Sequence, residues 1–275
     1  MARWASLVDR KRSERPVLVI DTGDFYVPRE TAFQETKDRY FFRAMKLLRY
    51  DAVGIGEYEI RIGLDKLVTI AKGYEIPLVS SNILDKAQKK PVAATSMVKE
   101  VGGTRGLFGR RGGVRLGIFS VALPGYIYGA GADAPKRYYV VDPKLAALEA
   151  TMKLRAQGCD LIVAVSHMNW DRSIELAREV PGIDIVLNSH SSHAGTYEER
   201  VGSTFVIDSG PKEYSFTEAD VTFAGDSIAV VSADICSTAL KSPGDARFLE
   251  LERNYSDEMK QLNVGTRPAT VKARK

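Results

Sequence analysis

The chain has little histidine and little cysteine, three and two residues in 275. Cys159 and Cys236 each flank an apolar run, and no C-x-x-C occurs. Two buried free thiols are therefore expected, and no cysteine-based redox or zinc motif is available. No apolar run approaches the ~18 residues of a membrane-spanning helix. Met1–Arg10 lacks the apolar core of a signal peptide, so the chain as written is expected in the cytoplasm. A leader encoded upstream of Met1 would instead make the protein periplasmic or secreted. There is no large excess of either charge, because the net charge is only +4. Basic residues are interleaved with acids, except at Arg105, Arg110 and Arg111 and in the tail from Arg267 to Lys275. A nucleic-acid binder concentrates a basic stripe or an aromatic platform, so nucleic acid is not an expected partner.

The residues that are present make an ordinary globular composition, 44% hydrophobic and 27% charged. The pattern predicts one domain over 1–240, followed by a helix and basic tail over 241–275. Trp4, Leu7 and Val8 predict a helix over 3–13. Short apolar strands are expected at Val17–Asp21, Ala52–Ile55 and Pro77–Asn82, with helices over 36–49 and 63–73. Gly102–Gly113 lacks the Lys-Ser/Thr ending of a P-loop and reads as the expanded loop of a hairpin within Met97–Val121. Asp142-Pro143 opens a helix with apolar Leu145, Leu148 and Met152, and Gly158 stops it. Strands at 160–166 and 183–188 flank a helix over 170–180, which argues for parallel β-α-β units. From 204 the pattern turns to strands alone, with Gly225-Asp226 as a turn. Ser242-Pro243 opens a last helix carrying Phe248, Leu251, Tyr255, Met259 and Leu262 on one side.

All three histidines follow apolar strands: His167 closes one, and His190 and His193 follow another. A lone histidine there would read as a core or capping group. Three of three suggest a metal or acid/base site, since ligands bind at the carboxyl ends of strands in open α/β sheets. Asp24 and Glu57 also stand just past apolar strands. Singly, they read as a turn residue and a solvated loop carboxylate. Together, Asp24, Glu57, His167 and His190 offer two carboxylates and two imidazoles, a donor set suited to Zn, Mn or Fe.

Five blocks in order carry a resemblance: V-L-V-I-D-T-G-D (Val17–Asp24), Ala44–Glu59, P-L-V-S-S-N (Pro77–Asn82), S-H-M-N (Ser166–Asn169) and Ile183–His193. They resemble the calcineurin-like metallophosphatases, and most of all the catalytic domain of the 5'-nucleotidase branch. The resemblance implies an α/β fold, a four-layer αββα sandwich with mixed sheets and helices on both outer faces. It also implies a phosphoester hydrolase in which two divalent ions activate water.

The departures from that pattern sort by metal. The family's opening Asp-x-His block has no counterpart downstream of Met1. Its Gly-Asn-His-Glu block reads Gly56-Glu57-Tyr58-Glu59, so Glu57 replaces a ligand Asn and Tyr58 replaces the histidine that serves the leaving group. Its last ligand position is Ser192, with His193 one residue on as a stand-in. The second metal of the family keeps four side chains that can ligate, Asp24, Glu57, His167 and His190. One ion rather than two is therefore expected. The resemblance gives Tyr58 and Asn82 as catalytic or substrate-positioning residues. It also gives a phosphorylated small molecule, such as a nucleotide, as substrate. The nucleotidases' second domain, which holds the base, has no counterpart here. The alternative is a catalytically degenerate descendant that keeps one metal and serves a protein partner as a binding or structural subunit.

Overall fold

Asp142 and Pro143 start a helix that packs on a six-stranded sheet. The computed structural model describes residues 1–26, 33–106, 109–111, 113–129, 131, 133–190, 197–208, 215–224, 227–237 and 243–265. The chain opens with α1 (Ala2–Glu14), β1 (Ile20–Asp21), α2 (Gln34–Leu48), β2 (Ala52–Val53), α3 (Glu57–Ile62) and α4 (Leu64–Gly73). Next come β3 (Ile83–Asp85), β4 (Lys90–Pro91), β5 (Met97–Val101), β6 (Thr104–Gly106), β7 (Gly109–Arg111) and β8 (Val114–Ala122). They are followed by α5 (Tyr126–Gly129), α6 (Ala134–Arg137), β9 (Tyr138–Val140), α7 (Pro143–Ala156), β10 (Leu161–His167), α8 (Trp170–Glu179) and β11 (Ile185–Ser189). The chain closes with β12 (Glu198–Val201), β13 (Thr204–Asp208), β14 (Ser215–Ala224), β15 (Ser227–Ser237) and α9 (Ala246–Gly265).

The main sheet has the order β12-β13-β11-β10-β8-β5. Its four central strands run parallel, and the two edge strands run antiparallel. β10 explains the layering. All seven of its residues are buried, so both of its faces must be covered. Ile162 and Ala164 pack outward with α7 and α8 residues such as Ala147, Leu154 and Ile174. Leu161, Val163 and Val165 pack the other way, against Ile20 and Ala52 of the small parallel pair β1–β2 and against Val221 and Val231 of the β14–β15 hairpin. Beyond that pair, Val53 and Ile55 pack with Phe42, Met45, Leu64 and Leu67 of α2 and α4. The layers are therefore helix, sheet, sheet, helix, as the family resemblance implies.

Several details differ from expectation. Leu78 and Val79 make only single parallel bridges, so Pro77–Asn82 is not a regular strand. α7 begins as predicted, with the Asp142 carboxylate accepting from the N–H groups of Lys144 and Leu145. Its buried face is Ala146, Ala147, Ala150 and Leu154, whereas Leu145 and Met152 stand out at 61% and 72% exposure. The small residues let α7 approach the sheet closely enough for Leu154 to fill the space above Gly117. The predicted hairpin forms between β5 and β8, with the β6–β7 pair nested inside it. β12 and α3 were not foreseen. α9 packs back onto the body: Phe248 is buried with Ala2, Ala5, Ala44 and Leu48, and Glu258 pairs with Arg39. Both cysteines are free. Among the described residues, no helix is long and apolar enough to cross a membrane.

Candidate metal centre

The two sheets present their strand ends to one crevice. β1 leads into Asp24, β2 into Glu57, β10 ends on His167, and β11 is followed by His190. One ligand atom from each of these four residues lies within 4.8 Å of the other three. His167 Nε2 is 3.0 Å from Glu57 Oε2 and 3.5 Å from Asp24 Oδ2. His190 Nδ1 is 3.5 Å from Glu57 Oε1 and 4.0 Å from Asp24 Oδ2. No second group of this kind is found among the described residues.

Backbone geometry aims these side chains. Asp24 and His190 both adopt left-handed backbone, with φ of 59° and 62°. That conformation is unfavourable for residues bearing a Cβ and is concentrated at functional sites. His167 is fully buried, and its Nδ1–H donates to the Thr22 carbonyl at 3.0 Å. A carbonyl can only accept, so the contact fixes the ring and leaves Nε2 facing the carboxylates, as metal-ligating imidazoles require. Tyr58 N–H donates to Asp24 Oδ1 at 2.9 Å and sets that carboxylate. Two oxygens and two nitrogens, so oriented, fit a divalent cation.

Glycine gives the site its room. A Cβ on Gly56 would lie 2.3 Å from Asp24 Oδ1 and 2.7 Å from His167 Nε2. Gly23 has a φ of 99°, and a Cβ there would lie 2.8 Å from Gly56 N.

Glu59 ties the carboxylate-bearing loops together from below. It is fully buried and accepts three backbone N–H bonds, from Asp24 at 2.8 Å, Gly56 at 2.8 Å and Tyr26 at 3.0 Å. Burial dominates over these bonds and pushes its carboxyl up to about 7. Asp21, which accepts from Gly23 N–H, is likewise pushed up to about 6 by burial.

In His167, burial favours the neutral ring, but the Asp24 and Glu57 carboxylates outweigh it and raise the imidazole to about 10. The metal-free fold is thus stabilised by protonated His167. That contribution is complete below about 6.5, the ordinary imidazole value, and is lost as pH rises toward 10. The melting temperature of chelator-treated protein is expected to fall between pH 6.5 and pH 10. The fall should be smaller in His167→Gln, and an equal fall in both would contradict the assignment.

The other sequence-stated residues fall differently. Asn82 is buried, donates to the Ala122 and Val141 carbonyls and accepts from Ala122 N–H, so its amide braces the end of β8. The Tyr58 ring lies beneath the Arg61 guanidinium, 4.9 Å away. Ser192 and His193 lie outside the described residues.

The aromatic ring against the imidazoles is Tyr126 of α5, with its centroid 4.5 Å from His190 and 5.7 Å from His167. Burial and the charges of Glu57 and Asp24 push its hydroxyl up to about 12. Sequence reading missed Tyr126, because nothing local marks the residue after Leu123-Pro124-Gly125 as facing β10. Glu59 accepts from the N–H of the glycine N-cap, but its bonds to Asp24 and Tyr26 are long-range and nothing local marks them.

No family model matches the chain. Curated relatives do. Bovine 5'-nucleotidase is 27% identical over 199 residues, which cover 70% of this chain and 32% of that protein. The trifunctional nucleotide phosphoesterase protein YfkN of Bacillus subtilis is 24% identical over 217 residues, 69% of this chain and 14% of that protein. The chain thus spans a third or less of the length of these relatives.

Among solved structures, the sulfate thiohydrolase SoxB of Thermus thermophilus superposes with a TM-score of 0.80 at 17% identity, covering 94% of this chain and 47% of that one. The calcineurin-like phosphoesterase YfkN gives 0.75 at 21% identity, covering 96% of this chain and 90% of that one. The relatives of this chain are therefore 5'-nucleotidases and calcineurin-like phosphoesterases, and its fold is that of a metallophosphatase domain.

Proposed function

We propose that the chain is a metal-dependent phosphoester hydrolase of the 5'-nucleotidase type, working with a single divalent ion of the Zn, Mn or Fe type. The observation that carries this reading is the convergence of Asp24, Glu57, His167 and His190 within 4.8 Å at the strand ends of two sheets. Support comes also from the relatives, bovine 5'-nucleotidase and the nucleotide phosphoesterase YfkN. The substrate class is a phosphorylated small molecule such as a nucleotide.

In this reading Asp24 and Glu57 supply charge, and His167 and His190 supply neutral nitrogen once His167 has released its proton. A divalent ion held there would supply Lewis acidity toward a phosphoryl oxygen. Thr22 and Ser189 hold the His167 ring, and Tyr58 N–H holds Asp24. Tyr58 is left as the residue in the leaving-group position. Its phenol, with an ordinary value near ~10, is a weaker proton donor at neutral pH than histidine.

The test is hydrolysis of an aryl phosphate and of nucleoside monophosphates by protein loaded with Mn or Zn. Turnover above that of the metal in buffer is expected. Bound metal without such turnover would refute the enzyme reading and leave a metal-binding subunit. Tyr58→His is expected to raise turnover while leaving metal affinity unchanged.

A further inference from the structure

We propose that Tyr126 binds the phosphoryl group of the substrate through its hydroxyl, and that Arg61 is the positioning residue that holds Tyr126 in place. The inference rests on the phosphoester reading above.

Charge balance creates the need. Two carboxylates cancel the charge of a divalent ion, so the centre presents no net positive charge to a phosphoester dianion. Binding then depends on donors beside the ion. The nearby candidates among the described residues are few. The Asn82 amide is buried and committed to backbone. His167 Nδ1–H is committed to the Thr22 carbonyl. The Tyr58 ring is stacked under Arg61, and its phenol is already assigned to the leaving group. Tyr126 differs from all of these. Its ring lies against both imidazoles, it is half-buried, and its hydroxyl has no hydrogen-bond partner among the described residues. A phenol beside the ligand set, unpartnered among the described residues, is a donor available to a group bound at that set.

The ring is also fixed in position. Tyr126 N–H donates to the Leu123 carbonyl at 3.2 Å, and the next residue, Ile127, is buried in the core. α5 ends at Gly129, whose carbonyl accepts from Arg61 Nε at 3.2 Å and Nη2 at 2.9 Å. Arg61 stands four residues after Glu57, one turn along α3. Its guanidinium therefore ties the helix that presents Glu57 to the helix that presents Tyr126. The tie fixes α5, which carries Tyr126, relative to α3, which carries Glu57.

The experiment titrates inorganic phosphate into Mn-loaded protein by calorimetry, with cation affinity measured separately. Tyr126→Phe keeps the ring and removes the hydroxyl. Its cation affinity is expected within about twofold of wild type, with phosphate affinity down tenfold to hundredfold, the range for a hydrogen bond to a charged group. Arg61→Ala is expected to weaken phosphate binding several-fold with cation affinity unchanged. The double variant should bind phosphate no more weakly than Tyr126→Phe alone, because Arg61 acts through Tyr126. Unchanged phosphate affinity in Tyr126→Phe would overturn the proposal, and additive losses would overturn the role of Arg61. If wild-type protein binds the cation but neither binds phosphate nor hydrolyses aryl phosphate, the phosphoester reading itself fails.

Discussion

Gly56→Ala is expected to weaken divalent-cation binding by about a hundredfold, although it removes no donor atom. The Gly56 backbone is extended, with φ of −106° and ψ of −169°, so alanine meets no conformational obstacle there. The obstacle is space. The new Cβ would fall 2.3 Å from Asp24 Oδ1 and 2.7 Å from both Cε1 and Nε2 of His167. Neither neighbour can yield freely, because Asp24 accepts from Tyr58 N–H and His167 is pinned to Thr22. Two of the four donors would be pushed apart. Losses of ten- to a hundredfold are usual when groups that orient a metal's ligands are disturbed, and this change acts on two of them directly. The metal-free fold is expected to lose about 1–3 kcal/mol, as overpacked sites do. Competition with a chromophoric chelator measures the first effect and denaturant unfolding the second. Cation affinity within threefold of wild type would show that Gly56 does not set the spacing of the site.

Glu59→Ala is expected to destabilise the protein by about 3–5 kcal/mol, because two buried N–H groups and one partly buried N–H group lose their acceptor together. Glu59→Gln separates charge from geometry. Its carbonyl oxygen can still accept from Asp24 and Gly56, but its amide then meets Tyr26 N–H donor to donor. A loss of about 1–2 kcal/mol is expected. The pH dependence distinguishes the two forms. Because burial raises the Glu59 carboxyl from 4.5 to about 7, the folded state holds its proton more tightly than the unfolded state. Stability contributed by the protonated form is present below about 4.5 and is lost as pH rises to about 7. Glu59→Gln should lack that part of the decline. A Glu59→Ala variant as stable as wild type at neutral pH would remove Glu59 from the account.

Much of this fold is legible in the sequence because its strongest signals are local. β10 and β11 are short apolar runs ended by polar residues, and their length and flanks mark them as buried parallel strands. Asp142-Pro143 carries its capping chemistry on its face. The inward face of α7 differs from the expected one because apolar residues lie on two of its sides, and only the close approach at Gly117 selects the alanines. Pro77–Asn82 does not form the expected strand because its apolar pattern outlasts its pairing, which reduces to single bridges at Leu78 and Val79.

The candidate ligands were legible for a similar reason. Each follows an apolar strand, and strand order then decides that the four ends meet. What surrounds them was not. Gly56, Glu59 and Tyr126 act through space that exists only once β2, β8 and β10 are side by side. The reach of Arg61 to the Gly129 carbonyl depends likewise on two short helices meeting, although the residues are 68 apart in sequence.

The most direct measurement is the stoichiometry and affinity of Zn or Mn binding in wild type, Asp24→Ala and His167→Ala. The account predicts one ion per chain in wild type and none retained in either variant after dialysis. Two tightly held ions per chain, or uptake that survives both substitutions, would contradict it.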